Sequence, residues 1–332
     1  MERKYHVYGV GNALVDMEFE VEDAFLEAMH IGKGLMTLVD QNRQIELLAH
    51  LGHGNARWSC GGSAANTIIA ASRFGGRAFY SCKVASDELG DFYVDDLVSA
   101  GVDSNLHAER TEGDTGRCLV MITPDAERTM NTFLGITETL SGDELNREAV
   151  RNSGFLYIEG YLVSSPTGRA AAIEARRIAE AAGVQVALTF SDPAMVKYFR
   201  EGLSEMLGAG IDLLFCNEAE ALAWADTDDL NLAVEALRAV SRTFAITRGA
   251  KGALLFDGTE FIEIAPHEVH AVDTNGAGDM FAGAFLYGIT QGHSWEDAGR
   301  IASAASARVV SNFGPRLEGD AHTEILDTVM ED

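Results

Sequence analysis

The stretch AVDTNGAGDMFAGAFLYG, running from Ala271 to Gly288, puts three residues with almost no side chain, Gly276, Ala277 and Gly278, where an apolar helical pattern begins. The first four N–H groups of a helix have no partner within it, and the helix dipole leaves that end partly positive. Small residues let an anion approach those amides closely, so the run suits a phosphate. Asp279 follows directly, inside the first turn. A carboxylate there favours the helix dipole by about 0.3–1 kcal/mol. Behind an anion cradle it is also placed to take a proton from an attacking hydroxyl.

Other residues have chemistry to offer. SCGGSAANTIIAASRFGG (Ser59–Gly76) is a second glycine-rich turn entering a helix. Gly61 and Gly62 permit close backbone approach and Asn66 sets an amide one turn in; the alternative is a plain strand-to-helix turn capped near Ser63. GNALVD carries Asn12 and Asp16 at the end of the first strand, where ligand contacts gather near a topological switch point. In NEAE, Asn217 and Glu220 are three apart and share a helix face. Their oxygens suit Mg²⁺ with its waters. A helix cap with an accompanying Glu gives the same pattern. TRGAKG (Thr247–Gly252) reads either as a hairpin turn or as a loop wrapping a nucleotide.

Several alternatives fail on the residues. No GxxxxGK[ST] occurs. GVGNAL has Leu14 where a dinucleotide fingerprint needs its third glycine, and strand-like residues follow it, which argues against an NAD-dependent oxidoreductase. Ser63 lies in GGSAA and misses GxSxG at Ala65. The two histidines of HEVH (His267–His270) would point to opposite faces of a strand, unlike a metal pair. Cys60, Cys82, Cys118 and Cys216 are scattered without a CxxC pair, so reduced cysteines in a cytoplasmic protein are expected. The formal charge of −26, from 51 acidic and 25 basic residues, opposes binding to nucleic acid or an anionic membrane. No run reaches the roughly eighteen apolar residues of a membrane span, and MERKYHVYGVGNALVD lacks the pattern of a signal peptide.

The elements that must position these residues alternate. FLYIEGYLV precedes GRAAAIEARRIAEAAG, VQVALTF precedes PAMVKYFREGLSEML, and DLLFCNE precedes EAEALAWA. Near-continuous apolar strands between amphipathic helices predict a parallel sheet covered on both faces. Helices are expected over Gly276–Gln291 and Ser294–Val310. ALVDMEFEVE (Ala13–Glu22) and RCLVMITPDAERTMNTFL (Arg117–Leu134) instead alternate apolar with polar residues, as strands with one open face do. They predict a small sheet, made of separate pieces of chain, standing over a site. The 332 residues with 47% apolar content are then one α/β unit with a lid. Its large domain takes 1–12, 41–116 and 135–332, and its lid takes approximately 13–40 and 117–134.

Taken together, these pieces resemble the ribokinase-like (PfkB) carbohydrate and nucleoside kinase family. DTNGAGDMFAGAF (Asp273–Phe285) is similar to its C-terminal signature and GGSAANTIIAASRFGG to its N-terminal one, with NEAE, TRGAKG and NFGP (Asn312–Pro315) in family order. The resemblance implies an α/β fold with a central, mostly parallel sheet flanked by helices and a small discontinuous β-sheet lid. It implies Asp279 as catalytic base and Gly276, Ala277 and Gly278 as the anion hole. Asp16 would grip the substrate's sugar hydroxyls, with Asn12, Gly62 and Asn66 beside it. ATP and Mg²⁺ would be served by Asn217, Glu220 (through Mg²⁺ water), Thr247, Gly249, Gly252, Thr274 and Asn312. Asp273, Asn275 and the backbone near Gly314 match a monovalent-cation (K⁺) region of some members. GNALVDMEFEVEDAFLEAM and Asn275 look most like the adenosine kinase branch, whereas DAERTMNTFLG is also similar to sugar kinase lids. The expected activity is phosphoryl transfer from ATP to a primary hydroxyl, adenosine first. A ribose, fructose or 2-keto-3-deoxygluconate kinase and a non-catalytic binding member stay open. Phe133, Met130 and Tyr161 are candidates for packing against a base, with core packing as the alternative, and open-faced lid strands leave a homodimer open.

Overall fold

The computed structural model describes residues 3–52, 57–107, 110–125 and 127–331. In chain order its strands are β1 (Tyr5–Val10), β2 (Leu14–Glu20), β3 (Met36–Leu38), β4 (Arg57–Gly61), β5 (Ala78–Ser81), β6 (Val102–Ser104) and β7 (Gly116–Ile122). They continue as β8 (Arg128–Phe133), β9 (Ser153–Ile158), β10 (Gln185–Thr189), β11 (Ile211–Asn217), β12 (Ser241–Thr247), β13 (Ala253–Phe256) and β14 (Phe261–Ile264). The helices are α1 (Asp23–Ala28), α2 (Gln41–Leu51), α3 (Ser63–Arg73), α4 (Glu88–Ser99), α5 (Arg147–Arg151), α6 (Pro166–Ala181) and α7 (Pro193–Tyr198). After them come α8 (Arg200–Leu207), α9 (Glu218–Ala225), α10 (Leu230–Arg238), α11 (Ala277–Thr290), α12 (Trp295–Val310) and α13 (Ala321–Glu331).

Nine strands form one sheet in the order β14-β13-β12-β11-β10-β9-β1-β5-β6. It is parallel from β12 through β6, and β13 and β14 add antiparallel strands at one edge. The apolar runs noted above fill its middle, because parallel strands joined by crossover helices are covered on both faces. One core cluster joins α3, α11 and α12 to the sheet, and the other joins α6, α8 and α10 to its opposite face. β1 lies between β9 and β5, so the crossovers leave it in both directions. That makes its C-terminal end a topological switch point, where a crevice opens.

The second sheet has five strands in the order β3-β8-β7-β2-β4. To the expected segments 13–40 and 117–134 the structure adds β4, which pairs with β2, and α2, which packs beneath. Period-two alternation sorts the side chains: Met17, Phe19 and Leu119 meet Leu47 and Leu48 of α2 on the outer face. Asp16, Met130 and Thr132 face a cavity on the other. A third C-terminal helix, α13, was not anticipated; Ile325 and Val329 dock it onto the core.

Candidate active site

A cavity of about 610 Å³ lies between the two sheets, at the C-terminal ends of β1, β9, β10, β11 and β12. Its size is that of a small-molecule site. The start of α11 forms its floor. Gly276 is the N-cap of that helix at φ +74°, and a Cβ added there would sit 2.4 Å from the Pro315 Cβ. Only glycine adopts this backbone against that neighbour without strain. Gly278 has nothing within 4 Å of an added Cβ, so its face is open to the cavity. The amides of Gly276, Gly278 and Asp279 donate to no acceptor among the described residues, whereas Ala277 N–H reaches the Thr274 carbonyl at 3.3 Å. Ser306 Oγ donates to the Ala277 carbonyl at 2.9 Å and ties this turn to α12.

Asp279 is held from α3. Ser63 Oγ donates to its Oδ1 at 2.7 Å and Asn66 Nδ2 to its Oδ2 at 3.1 Å. The cap of α3 lies next to Ser63, at Gly62 with φ +104° and no side-chain bond, which leaves the Ser63 hydroxyl for Asp279. The helices come close enough because Gly283, one turn after Asp279, lies against α3: an added Cβ would be 2.4 Å from the Thr67 carbonyl oxygen. Burial pushes the Asp279 carboxyl up to about 6, while the bonds from Ser63 and Asn66 and the charge of Arg316 pull the other way. It is thus ionised near neutral pH, as a proton acceptor must be.

Asp16 faces the cavity from β2 and accepts no hydrogen bond from any described residue. Its oxygens lie over Gly61, where a Cβ would come within 2.7 Å. Burial raises it to about 7, opposed by the charges of Arg316 and Arg128, with Glu18 adding to the rise. A desolvated carboxylate with free oxygens is suited to accept from ligand hydroxyls. Asn12 lines the same wall but its amide is held: Nδ2 donates to Glu159 Oε1 at 2.7 Å, and Tyr80 Oη donates to the Asn12 carbonyl at 2.7 Å. Glu159 also accepts from Ala64 N–H at 2.9 Å, so one buried carboxylate joins β9, β1 and α3.

The far end of the cavity is lined by Asn217, Glu220, Thr247, Gly249, Thr274 and Asn275. Asn217 and Glu220 form a reciprocal capping box: Asn217 Oδ1 accepts from Glu220 N–H at 2.8 Å, and Glu220 Oε2 accepts from Asn217 N–H at 3.0 Å. The cap reading of NEAE is thus met, and both residues also line the cavity. Glu220 is 3% exposed, and burial lifts its carboxyl to about 8, with Asp192 and Asp279 adding like charge. Arg248 and Lys251 brace the TRGAKG turn on Glu218 at 3.2 and 3.1 Å. Gly252 shapes that turn at φ +81° and lies off the cavity wall. Asn312 is likewise off the wall, donating to the Arg308 carbonyl at 2.8 Å.

Asp16, Glu159, Asp192, Glu220 and Asp279 are on the cavity wall, and no Lys or Arg among the described residues is. A polyphosphate entering it meets main-chain donors and repelling carboxylates. This oxygen-rich donor set fits Mg²⁺ carried with waters and phosphates. Asp273 is different. It is buried, 2.9 Å from Arg128 Nη2, and accepts from Gly314 N–H at 2.9 Å and Asn275 N–H at 3.1 Å. A guanidinium stands where the resemblance places a monovalent cation, so these residues do not fit a bare K⁺. Of the three candidates for base packing, Met130 and Tyr161 line the cavity, whereas Phe133 turns to the other face of β8, beside the Arg117 guanidinium. The residues of HEVH form an exposed loop after β14.

The sequence reading missed Ser63 as a partner of the acid, and it missed Glu159, Asp192 and Arg316. Glu159 left a signal, an acidic residue closing the apolar strand SGFLYI. Arg316 left none beyond its place after Gly-Pro.

A two-sheet α/β fold with an anion-ready helix start and a held carboxylate defines a phosphotransferase acting on a hydroxyl. Residues 38–320 match the pfkB family of carbohydrate kinases, and the chain belongs to that family. Among solved structures it is similar to adenosine kinase from Sinorhizobium meliloti, at 35% identity over 98% of this chain and 99% of that one, with a TM-score of 0.89. Among curated proteins it is 27% identical to adenosine kinase of Saccharomyces cerevisiae, over 92% of this chain and 95% of the relative. It is also 27% identical to ribokinase of Staphylococcus aureus, over 76% and 83%. No helix among the described residues is long and apolar enough to cross a membrane.

Proposed function

We propose that this kinase transfers the γ-phosphoryl group of ATP to the primary hydroxyl of a nucleoside, with adenosine as the first candidate. The observation that carries the nucleoside reading is the wall around Asp16. Leu14, Met36, Leu38, Met130 and Leu134 line it from the small sheet. A free sugar, with hydroxyls on every edge, would leave some of them unpaired against this surface, at a cost of about 1–3 kcal/mol each. A nucleoside offers hydroxyls to Asp16 and a flat ring to the thioethers and aliphatic groups. The similarity to two adenosine kinases supports the same choice. The ribokinase similarity keeps a sugar kinase as the competing reading.

In this reading Asp16 accepts from the ribose hydroxyls and turns the primary hydroxyl toward Asp279. Asp279 takes the hydroxyl proton as the oxygen attacks the γ-phosphorus. The new O–P bond forms while the bond to the β-phosphate oxygen breaks, and ADP leaves. The amides of Gly276 and Gly278 donate to oxygens of the transferring group, where losing one such donor lowers a rate by roughly 10²–10³. Glu220, with Asn217 beside it, would hold Mg²⁺ through its waters, and the ion would supply positive charge to the phosphates. The small sheet acts as a lid that excludes water. No step needs K⁺.

The test is a phosphorylation screen of adenosine, inosine, guanosine, ribose, fructose and 2-keto-3-deoxygluconate, read by mass spectrometry of the product. A nucleoside 5′-phosphate as the dominant product is expected. A sugar phosphate as the dominant product would replace the nucleoside reading by the sugar one.

A further inference from the structure

Arg316 lies in the segment between α12 and α13, far in sequence from the residues it touches. Its Nε donates to Asn66 Oδ1 at 2.9 Å and its Nη1 to Asp96 Oδ2 at 2.5 Å, so the guanidinium spans α3 and α4. Its side chain is 19% exposed and that of Asp96 28%, which keeps water from replacing these bonds freely. A guanidinium only donates, and an ionised carboxylate only accepts. An amide placed between the two has one favourable orientation: oxygen toward the guanidinium, NH₂ toward the carboxylate. Asn66 has that orientation, with Nδ2 3.1 Å from Asp279 Oδ2. The reversed amide would set two donors against each other and two acceptors against each other.

We propose that Arg316 is a positioning residue for phosphoryl transfer: by fixing the orientation of the Asn66 amide it holds Asp279 toward the hydroxyl acceptor. The chain of groups runs Asp96, Arg316, Asn66, Asp279, with alternating acceptor and donor at every contact. Arg316 is also the cation acting on both Asp279 and Asp16, and it lowers both against the burial that raises them. Around Asp279 the groups that face it are Ser63, Asn66, Tyr157, Tyr161, Glu159, Glu220 and Arg316. Loss of Arg316 removes the positive charge that acts on Asp279, leaving only the bonds from Ser63 and Asn66 against burial.

This inference rests on Asp279 as the proton acceptor. The experiment compares Arg316→Met, Arg316→Lys, Asn66→Ala, the double variant Arg316→Met with Asn66→Ala, and Asp279→Asn. The readouts are kcat and KM for both substrates from acid to mildly alkaline pH, with melting temperature as a check on folding. Arg316→Met is expected to lower kcat at least about tenfold and to move the acid limb of kcat up by about one pH unit, with KM for ATP little changed. Arg316→Lys keeps the charge without the planar fork and recovers only part of kcat. In the Asn66→Ala background the effect of Arg316→Met falls below about threefold, because the two act as one unit. If Arg316→Met melts early, Asp96→Asn, which frees one end of the fork but keeps its charge, must lower kcat without moving the acid limb up. An unchanged kcat and acid limb in Arg316→Met would overturn the proposal, as would an equal loss with and without Asn66. Near wild-type turnover in Asp279→Asn would instead remove the base assignment beneath it.

Discussion

The two ends of the cavity are built in opposite ways. The end proposed for phosphate is main chain: Gly276, Ala277 and Gly278 at the start of α11, contiguous in sequence and nearly bare of side chains. The acceptor end is side chains. Asp16 comes from β2, Asn66 from α3 and Met130 from β8, with Arg316, from the segment before α13, behind Asn66 and off the wall. Backbone amides at a helix start bind any phosphate, so that end defines a reaction class. In the proposed reading the acceptor end would select what is phosphorylated, and its parts meet only after folding.

The largest effect is expected at the phosphate end. Gly276→Val forces a side chain at φ +74° into Pro315 and moves the first turn of α11. We expect kcat to fall by about 10²–10³ while the melting temperature stays in the folded range, measured by coupled ADP release and thermal scanning. A small effect would mean that the reaction does not use those amides.

The acid limb distinguishes the ends by number. Asp279, at about 6, and Asp16, at about 7, are both raised by burial and both act ionised, so activity is present above these values and lost as pH falls through them. Below about pH 6 the plot of log kcat/KM against pH should approach a slope of two. Asp16→Asn should leave a slope of one on a weaker enzyme. A slope of one in the wild type would place only one of the two carboxylates in the reaction.

Smaller effects sharpen the acceptor end. Met130→Gln puts a polar amide on the apolar wall and should raise KM for the nucleoside about tenfold, with KM for ATP unchanged. If KM for ATP rises instead, the small sheet covers the nucleotide. The smallest effect concerns Asp273. Because Arg128 already neutralises it at 2.9 Å, exchanging K⁺ for tetramethylammonium should change kcat by less than about twofold. A strong K⁺ requirement would show that Arg128 leaves Asp273 during turnover.

The same contrast explains what the sequence disclosed. The DTNGAGD run disclosed the bare start of α11, because a helix start of missing side chains is local and visible in the letters. The parallel sheet was legible from apolar runs between amphipathic helices. The small sheet was legible only in part. Alternation revealed β2, β7 and β8, but β2 pairs with β7 about one hundred residues away, and such pairing leaves no local mark. β4 was hidden inside a glycine-rich turn whose following helix dominated its reading. Glu220 looked equally like a cap and a phosphate-end residue because it is both a capping-box partner and part of the cavity wall. Arg316 was invisible because its role is set by two helices that approach it from elsewhere in the chain.

The account depends most on Asp279 as the group that takes the acceptor's proton. Asp279→Asn preserves size and the contact with Ser63 but cannot accept that proton. With ATP and adenosine, kcat should fall by about 10²–10⁴ while nucleotide binding, followed by calorimetry, is retained. Turnover near that of the wild type, with binding intact, would contradict the account.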